Sequence, residues 1–586
     1  MRLINTSSLE IHDFSLSEIP RYAILSHTWG AEEVTFQDMS SPSRTFKKGY
    51  AKILNTCRLA LEHGLGYAWV DTCCIEKSSS AELTESINSI FQWYENAEIC
   101  YVFLEDLSPD TSVDAGLARC RWFTRGWTLQ ELLASRTLNF YDMTWNYSAS
   151  KPDLFNTISS CTGIPIPVLQ GHLTLRECSV AMRMAWAAHR QTTRVEDMAY
   201  CLLGIFDIHM PLIYGEGLKS FRRLQEEIVK RNNDLTIFAW DVPQSQQFYG
   251  LFATSPRAFA DSSGIEQFAD VFSDFSVTNM GLLASGDVPL RAALVSEREG
   301  DRQCWRYLLF VGAMGSDAQA GEQDVTTGGI YLRKIGPRLF YRDGNFPLAG
   351  FGRSTIEQHG LFEVNDYYIL IDPVAASLMS SSAFRDCAIH VPLDDVFTLR
   401  GTVPQSLWDL TDRVFLRPKP YNWMQYPMAI AMSFSGTIAG QKVSLVVLCD
   451  YRKPVPTSKI FMQDKHPREA KMIFYGRYRY DSVFWADLEI QAPDLLNLDD
   501  SVEITVGNEV VSISVSFEKG IVERVSKDVE LFSLRFNFTR HPAGTAGSTQ
   551  QSGQMVSDGP SQRLQQSYDL SDDEDGSGYV MGYVDN

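Results

Sequence analysis

Three short apolar runs, each turning polar only at its C-terminal end, constrain this chain more than any other feature. They are Tyr22-Ala-Ile-Leu-Ser-His-Thr-Trp-Gly30, Tyr67-Ala-Trp-Val-Asp-Thr-Cys-Cys74 and Ile99-Cys-Tyr-Val-Phe-Leu-Glu105. Unbroken apolar strands alternating with helical patterns predict a parallel sheet buried on both faces. The first helical pattern places Tyr50, Ile53, Leu54, Cys57 and Leu61 on one face, with Gly64 where a C-terminal cap belongs. In the second, Ser79 and Glu82 have capping-box spacing ahead of the stripe Leu83, Ile87, Ile90, Phe91 and Tyr94. Arg125–Ala134 reads as a further helix and Thr137–Met143 as a fourth strand. This alternation predicts right-handed βαβ units in an α/β layer. In a 2-1-3-4 strand order, the ligand-binding switch point falls between Ser26 and His27 and the helix carrying Trp127 and Glu131. Asp71 ends the second strand away from that point and reads as a residue that caps or orients a loop.

At 586 residues the chain exceeds what one core serves, so several domains are expected. The α/β pattern occupies 1–150. A mainly helical segment follows over 151–240, with Met182, Ala185, Trp186 and His189 at helical spacing, an apolar helix at Val195–Phe206 and another at Lys219–Arg231. From 241 to 540 the texture is β-rich, with strand-like runs at Arg306–Val311, Gly329–Ile335, Tyr367–Ile371, Met428–Phe434 and Lys442–Cys449, which predicts a sandwich or barrel-like domain. Val502, Ile504 and Val506 alternate with polar residues, Gly507-Asn508 turns the chain, and Val511, Ile513, Val515 and Phe517 alternate again: a hairpin. Residues 541–586 are rich in Gly, Ser and Gln, set seven acidic residues against Arg563, and read as a disordered acidic tail.

The net charge of -20 argues against a nucleic-acid partner. No signal peptide or membrane-spanning apolar stretch is legible, and eleven scattered cysteines suit a reducing compartment, so a cytoplasmic location is expected. Cys73-Cys74 with His27 or His63 lacks metal-ligand spacing, so no metal is expected and a buried thiol pair is. Neither GxSxG nor GxxxxGK[ST] occurs, and Gly215-Glu-Gly217 reads as a helix-leading turn.

The motifs SHTWG (26–30), WVDTCCI (69–75), the Ser86–Tyr94 helix with Ala97, and RGWTLQE (125–131) resemble the fungal heterokaryon-incompatibility (HET) domain. Arg194-Val-Glu-Asp-Met-Ala-Tyr200 and Tyr214-Gly-Glu-Gly217 resemble the segment that often follows it. The P-loop ATPase module and repeat array of some family members are missing, so a short-architecture member is expected. HET domains are in turn distantly similar to TIR domains, whose fold is flavodoxin-like. RGWTLQEL resembles the TIR segment in which Trp, Cys and Leu lead to a Glu that is catalytic where the domain cleaves NAD. The matching position is Glu131, with Gly126 where a TIR has Ser and Thr128 where it has Cys.

The resemblance implies an intracellular effector of fungal non-self recognition that triggers programmed cell death. It carries Glu131 over as the catalytic residue; Ser26, His27, Trp29 and Trp127 are expected to bind substrate. NAD or a related nucleotide is then a substrate rather than a cofactor. Cleaving the nicotinamide–ribose bond develops oxocarbenium charge that one carboxylate can stabilise, and a cationic nicotinamide leaves readily. The alternative is a non-enzymatic, oligomerising scaffold whose β-rich domain acts as sensor, in which Glu131 pairs with Arg125 or Arg121 and fixes the helix. Either way, self-association or another incompatibility protein is the expected partner.

Overall fold

The computed structural model describes residues 1–15, 17–242, 248–268, 274–285, 290–296, 303–314, 326–351, 361–362, 366–372, 384–417, 429–450, 455–475, 499–523, 525 and 529–542. The expected tail, from 543 onward, and Met428 lie outside the described residues. Seven strands form the N-terminal sheet: β1 (Arg2–Asn5), β2 (Ile11–Asp13), β3 (Ala23–His27), β4 (Tyr67–Trp69), β5 (Ile99–Phe103), β6 (Leu138–Tyr141) and β7 (Tyr147–Ser150). Their order is β2-β1-β4-β3-β5-β6-β7. The middle four are parallel, so the 2-1-3-4 expectation holds for them. Every residue of β3 and β5 is buried, which is why both segments are apolar until their last residues. The edges are antiparallel, with β1 on β4 and β7 on β6, so the sheet is mixed where a parallel one was expected.

Helices α1 (Tyr50–Glu62), α2 (Asp71–Cys74) and α3 (Ser80–Asn96) follow β3 and β4. The apolar stripe read for α1 is corrected. Ile53 and Cys57 are buried as expected, but Leu54 and Leu61 are exposed while Lys52 and Thr56 lie inside. Both polar residues are satisfied there: Lys52 Nζ donates to Thr28 O at 3.0 Å, and Thr56 Oγ1 donates to Lys52 O at 2.7 Å. Paired polar groups are buried at little cost, and hydrophobic periodicity is blind to that pairing. Only half of the expected capping box forms on α3. Ser79 Oγ accepts from Glu82 N at 3.4 Å, whereas the Glu82 carboxylate turns to Glu76 N and to Arg2.

In the helical segment, Lys219–Arg231 has the bounds expected, while the 195–206 stretch splits into Asp197–Tyr200 and Leu203–Phe206. This segment grips the RGWTLQE motif. Gly126 N donates to Gln191 O at 2.8 Å, and Arg190 Nη1 reaches Arg125 O and Thr128 Oγ1, each at 2.9 Å. The segment also meets the β-rich region: Ser179 Oγ donates to Ile265 O at 2.5 Å, and Arg342 stacks on Trp240 at 3.8 Å.

The described strands of the β-rich region fall into three sheets of eleven, six and four strands, not one sandwich or barrel. The expected hairpin is present, with Val502 opposite Ile513, Ile504 opposite Val511, and Gly507 at φ +60° in the turn. Buried ions brace this region: Arg385 Nη2 lies 2.8 Å from both Asp409 and Asp412. Among the described residues no helix is long and apolar enough to cross a membrane.

A Cβ on Gly126 would lie 2.6 Å from Thr192 Cγ2 and 2.9 Å from Cys201 Sγ. Gly126→Ala is therefore expected to destabilise the chain by about 1–3 kcal/mol through overpacking. Urea unfolding followed by circular dichroism checks this, and an unchanged midpoint for the first transition refutes it.

Candidate functional site at the C-terminal edge of the parallel strands

Ser26 is the fourth residue of β3 and pairs in register with Val102 of β5, so its hydroxyl emerges where the parallel strands end. The Thr128–Ala134 helix brings Glu131 to the same place. Ser26 Oγ donates to Glu131 Oε2 and accepts from Trp122 Nε1 at 2.6 Å. Tyr94, whose hydroxyl donates to Leu25 O at 3.0 Å, stands beside the same carboxyl. Glu131 is 7% exposed. Burial, with the nearby charge of Asp71 adding to it, raises its pKa to about 8 against the pull of Ser26, Arg125 and Tyr94. A group in that state keeps its proton at neutral pH.

The helix bearing Glu131 is held at both ends by buried cations. Lys151 Nζ donates to Leu132 O at 2.8 Å and Ser135 O at 3.3 Å, matching the negative end of the helix dipole. Burial brings Lys151 down to about 8. At the other end sits Arg190, brought down to about 10 by burial.

His27, the last residue of β3, lies between two carboxylates. Its Nδ1 is 3.7 Å from Asp71 Oδ1 and its Nε2 is 3.8 Å from Glu33 Oε2. Glu33 also accepts from Lys52 Nζ at 2.6 Å and from Gly30 N at 2.7 Å. Burial raises the Glu33 pKa, but His27, Gly30 and Lys52 outweigh it and bring the group to about 2. Trp29 is 40% exposed, donates its indole N–H to Asp71 Oδ2 at 2.7 Å, and carries Lys77 over its ring at 3.5 Å.

Of the residues expected at the site, Ser26 and Glu131 are in direct contact, and His27 and Trp29 meet at Asp71. Trp127 instead stands beside Asp197 of the helical segment. The indole on Ser26 is that of Trp122, which the RGWTLQE pattern does not contain. The reading of Asp71 as a residue away from the switch point is corrected, since it faces His27, binds Trp29 and acts on Glu131. The segment from Val70 to Cys74 turns Asp71 into the first residue of a short helix, a change of direction that strand periodicity does not reveal. Glu131 takes Ser26 as its hydrogen-bond partner, while Arg125 acts on it through charge. Gln130 was also missed: it is buried, and neither amide atom has a partner among the described residues. Cys73 and Cys74 are buried free thiols, and the described residues contain no group of three His, Cys, Asp or Glu that could hold a metal.

The family model for the heterokaryon incompatibility protein (HET) matches residues 22–118. The chain carries a heterokaryon-incompatibility domain. The stretch matched by the HET model includes Ser26, His27, Trp29 and Asp71 and ends before Glu131. A second model, a domain of unknown function (DUF8212), matches residues 219–257. The chain is 47% identical over 228 residues to vegetative incompatibility protein HET-E-1 of Podospora anserina, an alignment covering 37% of this chain and 17% of that protein. No solved structure matches the chain significantly.

A raised carboxyl pKa has a thermodynamic consequence for this HET domain. Unfolded, Glu131 titrates near the ordinary 4.5; folded, near about 8. Between those values the unfolded chain has lost a proton that the folded chain keeps, so stability present below about 4.5 is lost as pH rises toward 8. Across that window the melting temperature of the wild type is expected to fall relative to Glu131→Gln, which cannot titrate. Parallel pH profiles for the two proteins in calorimetry refute the assignment.

Proposed function

We propose that this chain is an intracellular, cytoplasmic effector of fungal non-self recognition, whose HET domain hydrolyses NAD or a related nucleotide and so drives cell death. The observation carrying this reading is the Ser26–Glu131 contact, which puts a carboxyl at the edge of the parallel strands where open α/β sheets bind ligands. The TIR-like reading of the domain rests on the same 2-1-3-4 order and on the RGWTLQE resemblance. The heterokaryon-incompatibility family supplies the biological setting, and self-association or a second incompatibility protein is the partner proposed with it.

Burial keeps Glu131 neutral in the free protein. A cationic nicotinamide ring brought beside it favours the ionised form, because an opposite charge at close range lowers a carboxyl pKa. The ionised carboxylate then faces the ribose as oxocarbenium charge develops. Ser26 holds that carboxylate in place through its hydroxyl, itself fixed by Trp122.

A non-catalytic assembly module with the β-rich region as sensor is the competing reading, favoured by the burial of Glu131 and its bond to Ser26. NAD consumption by the full-length protein, followed by proton NMR, separates the two. Wild type is expected to consume NAD, with kcat/KM rising with pH toward about 8 as the carboxyl loses its proton. Glu131→Gln and Glu131→Ala are expected to lose at least about a hundredfold in turnover while remaining folded. Cell killing without NAD loss would instead establish the assembly reading.

A further inference from the structure

We propose that the Trp29–Glu33 turn is a lid over a hydroxyl-binding subsite, formed by His27 and Asp71 at the strand end that also carries Ser26, and that this subsite takes a ribose of the nucleotide. The inference rests on the nucleotide reading above and adds the residues that would hold the sugar.

The His27 side chain is 1% exposed, and neither ring nitrogen has a hydrogen-bond partner among the described residues. The flanking carboxylates, at 3.7 and 3.8 Å, stand beyond hydrogen-bond reach. Asp71 Oδ1, buried and facing Nδ1 at 3.7 Å, likewise makes no hydrogen bond among the described residues. Buried polar atoms are nearly always paired, so Nδ1 and Oδ1, facing each other without a hydrogen bond, mark a place where something else supplies the bonds. The carboxylates face different nitrogens of one ring, and among the described residues no group of three His, Cys, Asp or Glu could hold a metal ion. A hydroxyl does fit: it donates to the Asp71 oxygen and accepts from the imidazole Nδ1–H. A vicinal diol supplies two such groups side by side.

What covers these atoms is a turn with little core of its own. Trp29, Gly30, Ala31 and Glu32 are exposed. The turn is fastened by polar links: Trp29 Nε1 to Asp71, Glu33 to Lys52 and Lys47, Gly49 N to Glu32 O at 2.9 Å, and Lys77 over the Trp29 ring. Opening it exchanges these links for water and leaves the buried strands β3 and β5 untouched. Trp29 is the latch, since its N–H holds the very carboxylate whose other oxygen is unpaired.

Binding of ADP-ribose to the full-length protein tests the proposal, because this probe carries the ribose but no nicotinamide bond to cleave. Asp71→Asn and His27→Gln are each expected to weaken its affinity at least about tenfold, with melting temperature confirming the fold. Trp29→Phe keeps the aromatic cover but removes the latching N–H, and is expected to raise the association rate severalfold in stopped-flow measurements. An Asp71→Asn protein that binds ADP-ribose like a wild type that consumes NAD overturns the subsite and leaves the hydrolase reading standing. An unchanged association rate in Trp29→Phe overturns the lid. If the wild type neither binds ADP-ribose nor consumes NAD, the nucleotide reading fails and the subsite falls with it.

Discussion

The parallel pairing of β3 with β5 is the constraint from which the site follows. Five residues on each strand are in register and buried on both faces, so polar side chains find room only where the strands run out. Ser26 and His27 occupy that end. Each must be met by a partner from a neighbouring element, because a buried hydroxyl or imidazole left alone is costly. Ser26 is met by Trp122 and Glu131. His27 stands between Asp71 and Glu33, close to both and bonded to neither. One strand end thus carries a closed network on one side and an unfinished one on the other.

The placement of Glu131 depends on residues far from it in sequence. Its helix has only seven residues, too few to be stable alone. Lys151 from beyond β7 ties down its C-terminal carbonyls, and Arg190 from the helical segment ties down its start. Gly126 admits that segment to contact distance. The helical segment is in this sense part of the site's frame: Arg194 lies over Tyr214 at 4.4 Å, and Glu196 accepts from Gly215 N at 2.8 Å and Gly217 N at 3.0 Å. The two motifs that resemble the region following a HET domain are therefore bonded to each other.

Several features were legible because they follow from local periodicity. The strand bounds of β3 and β5, the Lys219–Arg231 helix and the Val502–Phe517 hairpin all express a single repeat of apolar residues. The misreadings share one cause. In α1, Lys52 and Thr56 displaced Leu54 and Leu61 from the core through hydrogen bonds that only the folded chain contains. Trp127 and Trp122 are equally apolar on paper, and only the fold separates them: the first stands beside Asp197, while the second donates to Ser26. The β1–β2 hairpin was missed because three- and four-residue strands carry too little alternation to stand out.

The residue string by itself determined the layering of the N-terminal region and the strand ends at which its polar groups collect. It could do so because burial on both faces of a parallel sheet leaves a periodic, local trace. Tertiary structure alone decided which of those groups touch. The Ser26–Glu131 contact spans 105 positions, and the approach of Asp71 to His27 spans a helix and a strand. The pKa of Glu131 is likewise a property of the assembled pocket, since it arises from lost water and from charges that the chain brings together only on folding.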